Sequence, residues 1–104
     1  MAIGEINPTA VLEAVKNGSV FVDVREPYEI DEVAYDIPNA ILIPLGEIQS
    51  RMNEIPKDVN VIVGCRSGGR SMNACAFLSM QGYTDLTNLS GGIMSWVDND
   101  CPTK

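Results

Sequence analysis

Val59-Asn60-Val61-Ile62-Val63-Gly64-Cys65-Arg66-Ser67-Gly68-Gly69-Arg70-Ser71 decides the reading of this 104-residue chain. Its first five residues are β-branched at four positions, the mark of a strand buried on both faces. The stretch from Ser71 to Gln81 reads as a helix stopped by Gly82. Between strand and helix lies a seven-residue loop, Cys65 to Ser71. In open α/β sheets ligands bind beyond the carboxyl ends of the strands, and Cys65 stands there.

The loop has the composition of an anion cradle. Gly68 and Gly69 let the backbone turn tightly and aim successive N–H groups inward. The helix behind adds its unpaired first-turn amides and the positive end of its dipole, with Ser71 as the expected cap. Arg66 and Arg70 are two of only 7 bases in a chain with 14 acids. An ordinary thiol, with a pKa of about 8.5, is only a few per cent ionised at neutral pH. Lowering that pKa by two units requires a preference of about 2.7 kcal/mol for the anion. A helix terminus supplies up to ~2 kcal/mol. One charge-assisted hydrogen bond adds ~1.5–3 kcal/mol. A thiolate at Cys65 therefore needs no histidine, and the chain has none. The plainer reading, a small buried hydrophobe ending a strand, leaves the two arginines without a reason.

Outward from this segment, short apolar runs alternate with helical patterns. Asn7-Pro8 opens a helix with Asn7 as N-cap, Val11, Leu12 and Val15 form its apolar stripe, and Asn17-Gly18 ends it. Val20 to Val24 is a second buried strand, and Pro27 to Val33 an acidic short helix. Ala40 to Ile43 is a further strand, and Leu45, Ile48 and Met52 mark a helix ending before Pro56. Thr84 to Leu89 is the last strand, and Gly91-Gly92 leads into a final helix carrying Trp96. This alternation predicts an α/β fold with right-handed crossovers: a three-layer domain whose central, mostly parallel sheet of about five short strands has helices on both faces. Residues 1–104 are expected to form a single domain with a core of about 7–98 and flexible ends at 1–4 and 100–104.

A chain of this length buries roughly 60–70% of its unfolded surface, enough for an ordinary core. Its net charge of −7 gives no cationic footprint for nucleic acid or an anionic membrane, so neither is expected as a partner. The lack of histidine excludes Ser-His-Asp and Cys-His catalysis and any His-containing zinc site. Cys65, Cys75 and Cys101 show no C-x-x-C spacing, so neither a disulfide framework nor a metal site is expected. The first residues lack the pattern of a signal peptide, and no apolar stretch approaches the ~20 residues that span a bilayer. The expectation is a cytoplasmic protein, monomeric or weakly dimeric, without a cofactor.

The loop resembles the Cys-x-x-Gly-x-Arg-Ser form of the rhodanese-like family at Cys65, Gly68, Arg70 and Ser71. Val22-Asp23-Val24-Arg25 is similar to that family's Asp-Val-Arg segment, and Ile37-Pro38-Asn39-Ala40 with Ile43-Pro44-Leu45 to its two Ile-Pro segments. Gly82-Tyr83 and Asn88-Leu89-Ser90-Gly91-Gly92-Ile93 with Trp96 resemble its C-terminal signature. The likeness spans roughly Asn7 to Pro102. Two departures stand out: Tyr35-Asp36 where the family commonly has Gly-His, and Asn39 where it has glycine.

This resemblance implies a rhodanese-like domain that carries sulfane sulfur. Cys65 would take sulfur from thiosulfate or a persulfide donor and pass it to cyanide or a thiol, small or on a protein. Arg66, Ser67, Gly68, Gly69, Arg70 and Ser71 would bind the anionic donor. The alternatives are a protein-to-protein sulfur relay or regulatory module, and a phosphatase or arsenate-reductase-like enzyme. The last is disfavoured because four residues rather than five separate Cys65 from Arg70, and because only Asp36 offers itself as a general acid.

Asp23 and Arg25 are expected to form an ion pair that supports the fold rather than to act directly in catalysis, with bracing of the loop as a further role open to Arg25. Cys75 is expected to pack in the core, and Cys101 to lie in a fraying tail. Gly91-Gly92 is read as a turn, since a P-loop Lys-Ser/Thr is absent. Glu26, Glu29, Asp31, Glu32 and Asp36 are read as a solvated face.

Overall fold

The computed structural model describes residues 3–104. Five strands, β1 (Gly4–Ile6), β2 (Val20–Asp23), β3 (Ile41–Leu42), β4 (Val61–Gly64) and β5 (Leu86–Leu89), form one parallel sheet in the order β1-β5-β4-β2-β3. The helices are α1 (Pro8–Lys16), α2 (Pro27–Glu32), α3 (Ile48–Arg51), α4 (Gly69–Met80) and α5 (Gly92–Asp98). Short 3-10 turns, Leu45–Glu47 and Met52–Glu54, flank α3, so the helix expected there is broken into three pieces.

Alternating residues of the buried strands serve different layers, as the two-residue period of a strand requires. Val22, Val61, Val63 and Leu86 pack with Ala74, Cys75 and Leu78 of α4 and with Ile48 of α3. Phe21, Ile62 and Leu89 pack on the opposite face with Val11 of α1 and Ile93 and Trp96 of α5. The three-layer α/β expectation holds. No helix among the described residues is long and apolar enough to cross a membrane.

Backbone partners reach into both ends that were expected to be flexible. Met1 and Ala2 lie outside the described residues, but Gly4 already begins β1, whose Glu5 and Ile6 pair with Asn88 and Leu89 of β5. A three-residue edge strand without an apolar alternation has no local signature. At the other end, the tail folds back on the segment after α2. Ala34 and Lys104 exchange two backbone hydrogen bonds of 2.9 and 3.0 Å, and Asp36 N–H donates to the Pro102 carbonyl at 3.0 Å. Trp96 Nε1 donates to the same carbonyl at 2.6 Å. Cys101 lies in this hydrogen-bonded segment, and its half-buried thiol is pushed up first by burial and then by Asp100.

In this sheet β4 is central, with β5 on one side and β2 on the other. The chain leaves β4 at Gly64 between the ends of those two strands, where the connections diverge and a crevice is expected.

Candidate active site

Gly64 closes β4 where no other residue fits: a Cβ there would lie 2.6 Å from the Phe21 ring. The loop that follows is held by its carbonyls. Cys65 O accepts from Ile93 N–H at 2.8 Å and from the Tyr35 hydroxyl at 2.6 Å, and Arg66 O accepts from Met94 N–H at 3.2 Å. The first turn of α5 thus grips the loop from behind. It reaches it because Gly92, at φ +56°, has no side chain; a Cβ would stand 2.5 Å from the Cys65 and Arg66 carbonyl oxygens. The Gly91-Gly92 pair, read as a mere turn, is the clamp of the loop.

With those carbonyls turned toward α5, amides face the sulfur. Gly68 N–H donates to Cys65 Sγ at 3.1 Å, and the Ser71 hydroxyl lies 3.3 Å from it. Gly68 is the N-cap of α4 at φ +112°, a left-handed conformation that favours glycine. The helix begins at Gly69, two residues before the expected start. Ser71 is therefore inside the first turn rather than the cap, and its hydroxyl lies within hydrogen-bonding distance of Gly68 O, Asn88 Oδ1 and Cys65 Sγ. Burial pushes the Cys65 thiol up. The Ser71 hydroxyl and the amides of Ser71, Gly68 and Ser67 together outweigh it and leave the thiol below its ordinary value. Cys65 is 1% exposed, so its sulfur meets the loop's donors rather than open solvent.

The structure separates the two loop arginines. Arg70 is not free: its Nη1 and Nη2 donate to the two carboxyl oxygens of Glu29, both at 2.7 Å. Hydrogen bonding to Arg70 overcomes the upward push of burial and holds the Glu29 carboxyl down to about 2. Arg66 is exposed and makes no ion pair among the described residues. It lines a cavity of about 340 Å³ with Arg25, Tyr28, Glu29, Glu32 and Ile93. Ser67 and Gly69 are exposed at the loop's outer side.

Asp23 and Arg25 form the expected ion pair, fully buried, with Arg25 Nη2 to Asp23 Oδ2 at 2.9 Å. Arg25 Nη1 reaches the carbonyls of Glu29 and Val33 at 3.4 and 3.0 Å and so ties the end of β2 to α2. Arg25 braces α2, and Glu29 on α2 braces Arg70. The support of the loop is thus indirect.

Three residues not singled out in this role belong here. Tyr35, at one of the two departures from the family pattern, is buried against Phe21 and Trp96 and reaches the Cys65 carbonyl. Glu29 is half-buried and paired rather than on the solvated face expected for it; its position three residues after Glu26, where its side chain accepts the Glu26 N–H, is the available signal. Asn88 is a buried polar residue of β5 beside Thr87, which marks it only once its neighbours are known. Asn39 sits at φ +58°, which explains why glycine is usual there. Cys75 is fully buried on α4 with its thiol pushed up to about 12 by burial, then by Glu5, as a packing residue should be. Asp36 is exposed and does not line the cavity beside the loop.

Residues 7–99 match the Rhodanese-like domain family. A sulfurtransferase of Allochromatium vinosum is 47% identical over 83 residues, which cover 80% of this chain and 76% of the relative. Thiosulfate sulfurtransferase 16 of Arabidopsis thaliana is 31% identical, with 95% of this chain and 91% of the relative covered. The crystal structure of a rhodanese-related protein from Thermoplasma volcanium superposes with a TM-score of 0.85 at 33% identity, covering 97% of each chain. With a cysteine loop at the end of a central parallel strand, and relatives of sulfurtransferase type along its length, this chain belongs to the rhodanese-like domain family.

Proposed function

We propose that the protein transfers sulfane sulfur through a persulfide on Cys65. The observation that carries this reading is the sulfur's position, 3.1 Å from the Gly68 amide at the start of α4, where an anionic sulfur is stabilised before and after transfer. The Cys65 thiolate attacks the outer sulfur of thiosulfate. The bond from that sulfur to the sulfonate sulfur breaks, sulfite leaves with the electron pair, and the outer sulfur stays as a persulfide anion. A thiolate or cyanide then attacks this terminal sulfur, and the Cys65 thiolate is the leaving group. Arg66 at the cavity mouth attracts the anionic donor. Since Cys65 is 1% exposed, the donor reaches Sγ only when the Arg66–Gly69 turn moves off it.

Intact mass spectrometry after incubation with thiosulfate tests the proposal. A gain of one sulfur atom, mapped to Cys65, lost on adding cyanide and absent in Cys65→Ser, is the expected result. An unmodified Cys65 under turnover conditions overturns it.

The near-closure of Sγ favours a variant of this reading in which the acceptor is a protein thiol that brings its own docking surface. That relay predicts faster discharge of the persulfide by a protein thiol than by an equal concentration of small thiol. A phosphatase reading has less support. Its arginine would be Arg70, and both arms of that guanidinium are already committed to Glu29.

A further inference from the structure

From the hydrogen-bonding geometry around Ser71 we infer that Asn88 sets the ionisation of Cys65 by competing with the sulfur for the single hydroxyl proton of Ser71. The inference rests on the proposed role of Cys65 for its relevance, but not for its geometry.

The Asn88 side chain can lie only one way. Its Nδ2 faces two acceptors, the Gly68 carbonyl at 3.3 Å and a Glu5 carboxyl oxygen at 3.2 Å. Reversed, its Oδ1 would point at both with no proton between them. Oδ1 therefore faces Ser71 Oγ and accepts from it at 2.5 Å. Ser71 has one proton to give, and Asn88 Oδ1 takes it ahead of the Gly68 carbonyl, which lies farther off at 3.1 Å and already accepts from Asn88 Nδ2. While that proton points to Asn88, the hydroxyl presents only lone pairs to Cys65 Sγ, 3.3 Å away. This arrangement suits a thiol, whose S–H donates to Ser71, and withholds a donor from a thiolate. On ionisation the sulfur's proton leaves to solvent, and the hydroxyl proton turns from Asn88 Oδ1 to Sγ. Asn88 then loses its donor, and the thiolate is stabilised by less than an uncontested serine would give. The Gly68 amide donates to no other acceptor among the described residues and serves both forms.

Other charged groups near the sulfur are accounted for. Glu5 on β1 stands behind Asn88 and holds its orientation, with its second oxygen on the Ser90 hydroxyl at 2.7 Å. Arg70 on α4 is neutralised by Glu29, and Arg25 after β2 by Asp23. Tyr35 donates to the Cys65 carbonyl and stays protonated, its hydroxyl pushed far up by burial.

Asn88 is thus a positioning residue, acting on the sulfur through Ser71. The test is the pH dependence of thiolate ultraviolet absorbance, taken as the difference from the same protein carrying Cys65→Ser. Asn88→Leu removes the nearer competing acceptor and leaves only the Gly68 carbonyl at 3.1 Å, so the Cys65 midpoint falls by up to about one pH unit. Asn88→Ala serves equally if the leucine variant does not fold. In a Ser71→Ala background the same Asn88 substitution leaves the midpoint where Ser71→Ala alone puts it. A midpoint that rises or stays fixed in Asn88→Leu and Asn88→Ala overturns the inference, as does an equal fall without Ser71. No sulfur donor is used, so the two readings separate. Midpoints that move as stated in a protein that forms no persulfide keep Asn88's role and defeat the transferase reading, and the converse result does the opposite.

Discussion

Glu29 and Arg70 meet in a two-pronged ion pair, 2.7 Å on each arm, that joins α2 to the first turn of α4 across 41 residues of sequence. The pair converts a loop arginine from a ligand-binding charge into a strut. Of the loop's two cations, Arg66 faces the cavity and has no ion-pair partner among the described residues.

Glu29→Gln releases Arg70. A unit charge about 4 Å from an anion in watery surroundings contributes about 1 kcal/mol, so the KM for thiosulfate falls about fivefold. Folding stability at neutral pH drops by about 0.5–1 kcal/mol, the range of partly exposed pairs. Steady-state kinetics and denaturant unfolding read the two effects. An unchanged or higher KM denies that Glu29 keeps Arg70 from the donor.

The same carboxyl makes an acid limb. Held down to about 2 in the folded state, against an ordinary value of 4.5, it resists protonation while folded. Its contribution is complete above pH 4.5 and is lost as the pH falls toward 2. Unfolding midpoints measured through that window should decline in the native protein and decline less in Glu29→Gln.

Asp23→Ala leaves the buried Arg25 guanidinium without its anion, which costs about 3–5 kcal/mol. Asp23→Asn costs less, because Asn still offers an oxygen to the Arg25 N–H that Asp23 Oδ1 now accepts at 3.0 Å. Urea titration ranks the two. If both variants unfold at the native midpoint while turnover is lost, the pair acts in chemistry rather than in support.

The parallel sheet and its layers were legible because β2 and β4 are buried on both faces, and that leaves a near-continuous apolar record, broken only by Asp23 and Asn60, in Val20–Val24 and Val59–Val63. Cys65 was legible for the same reason: the end of the most apolar strand marks the crevice. What could not be read is everything set by non-local pairing. β1 exists only through β5, and the tail is held only by residues 34–36 and Trp96. The loop's clamp depends on Gly92 meeting carbonyls 26 and 27 residues earlier, and no periodicity records such a contact. The spending of Arg70 on Glu29 is of the same kind: composition counts charges but does not pair them.

The adjacent glycines of the loop are not equivalent. Gly68 needs φ +112°, where an L-residue is strained, so Gly68→Ala costs about 1–2 kcal/mol and draws its amide off the sulfur. The Cys65 midpoint then rises. Gly69 has an ordinary helical φ and nothing within 4 Å of a Cβ, so Gly69→Ala stabilises by about 0.5–1 kcal/mol. Thermal unfolding of the two variants should move in opposite directions; a shift of the same sign in both contradicts the assignment of the turn to Gly68 alone.

Tyr35 turns a departure from the family pattern into a support for the loop. Its ring lies edge-on to Phe21 and Trp96, and its hydroxyl reaches the Cys65 carbonyl at 2.6 Å. Tyr35→Phe keeps the ring packing and removes one hydrogen bond. The carbonyl is not orphaned, because Ile93 N–H still donates to it at 2.8 Å. The stability loss is therefore about 1 kcal/mol rather than the larger penalty of an unpaired buried acceptor. With the Cys65 carbonyl held by Ile93 alone, the loop is freer to move off the sulfur, so amide exchange at Arg66 to Gly69 quickens and persulfide formation from thiosulfate speeds up. If persulfide formation slows in a protein with native stability, the hydroxyl's part is in the chemistry at sulfur and not in holding the loop shut.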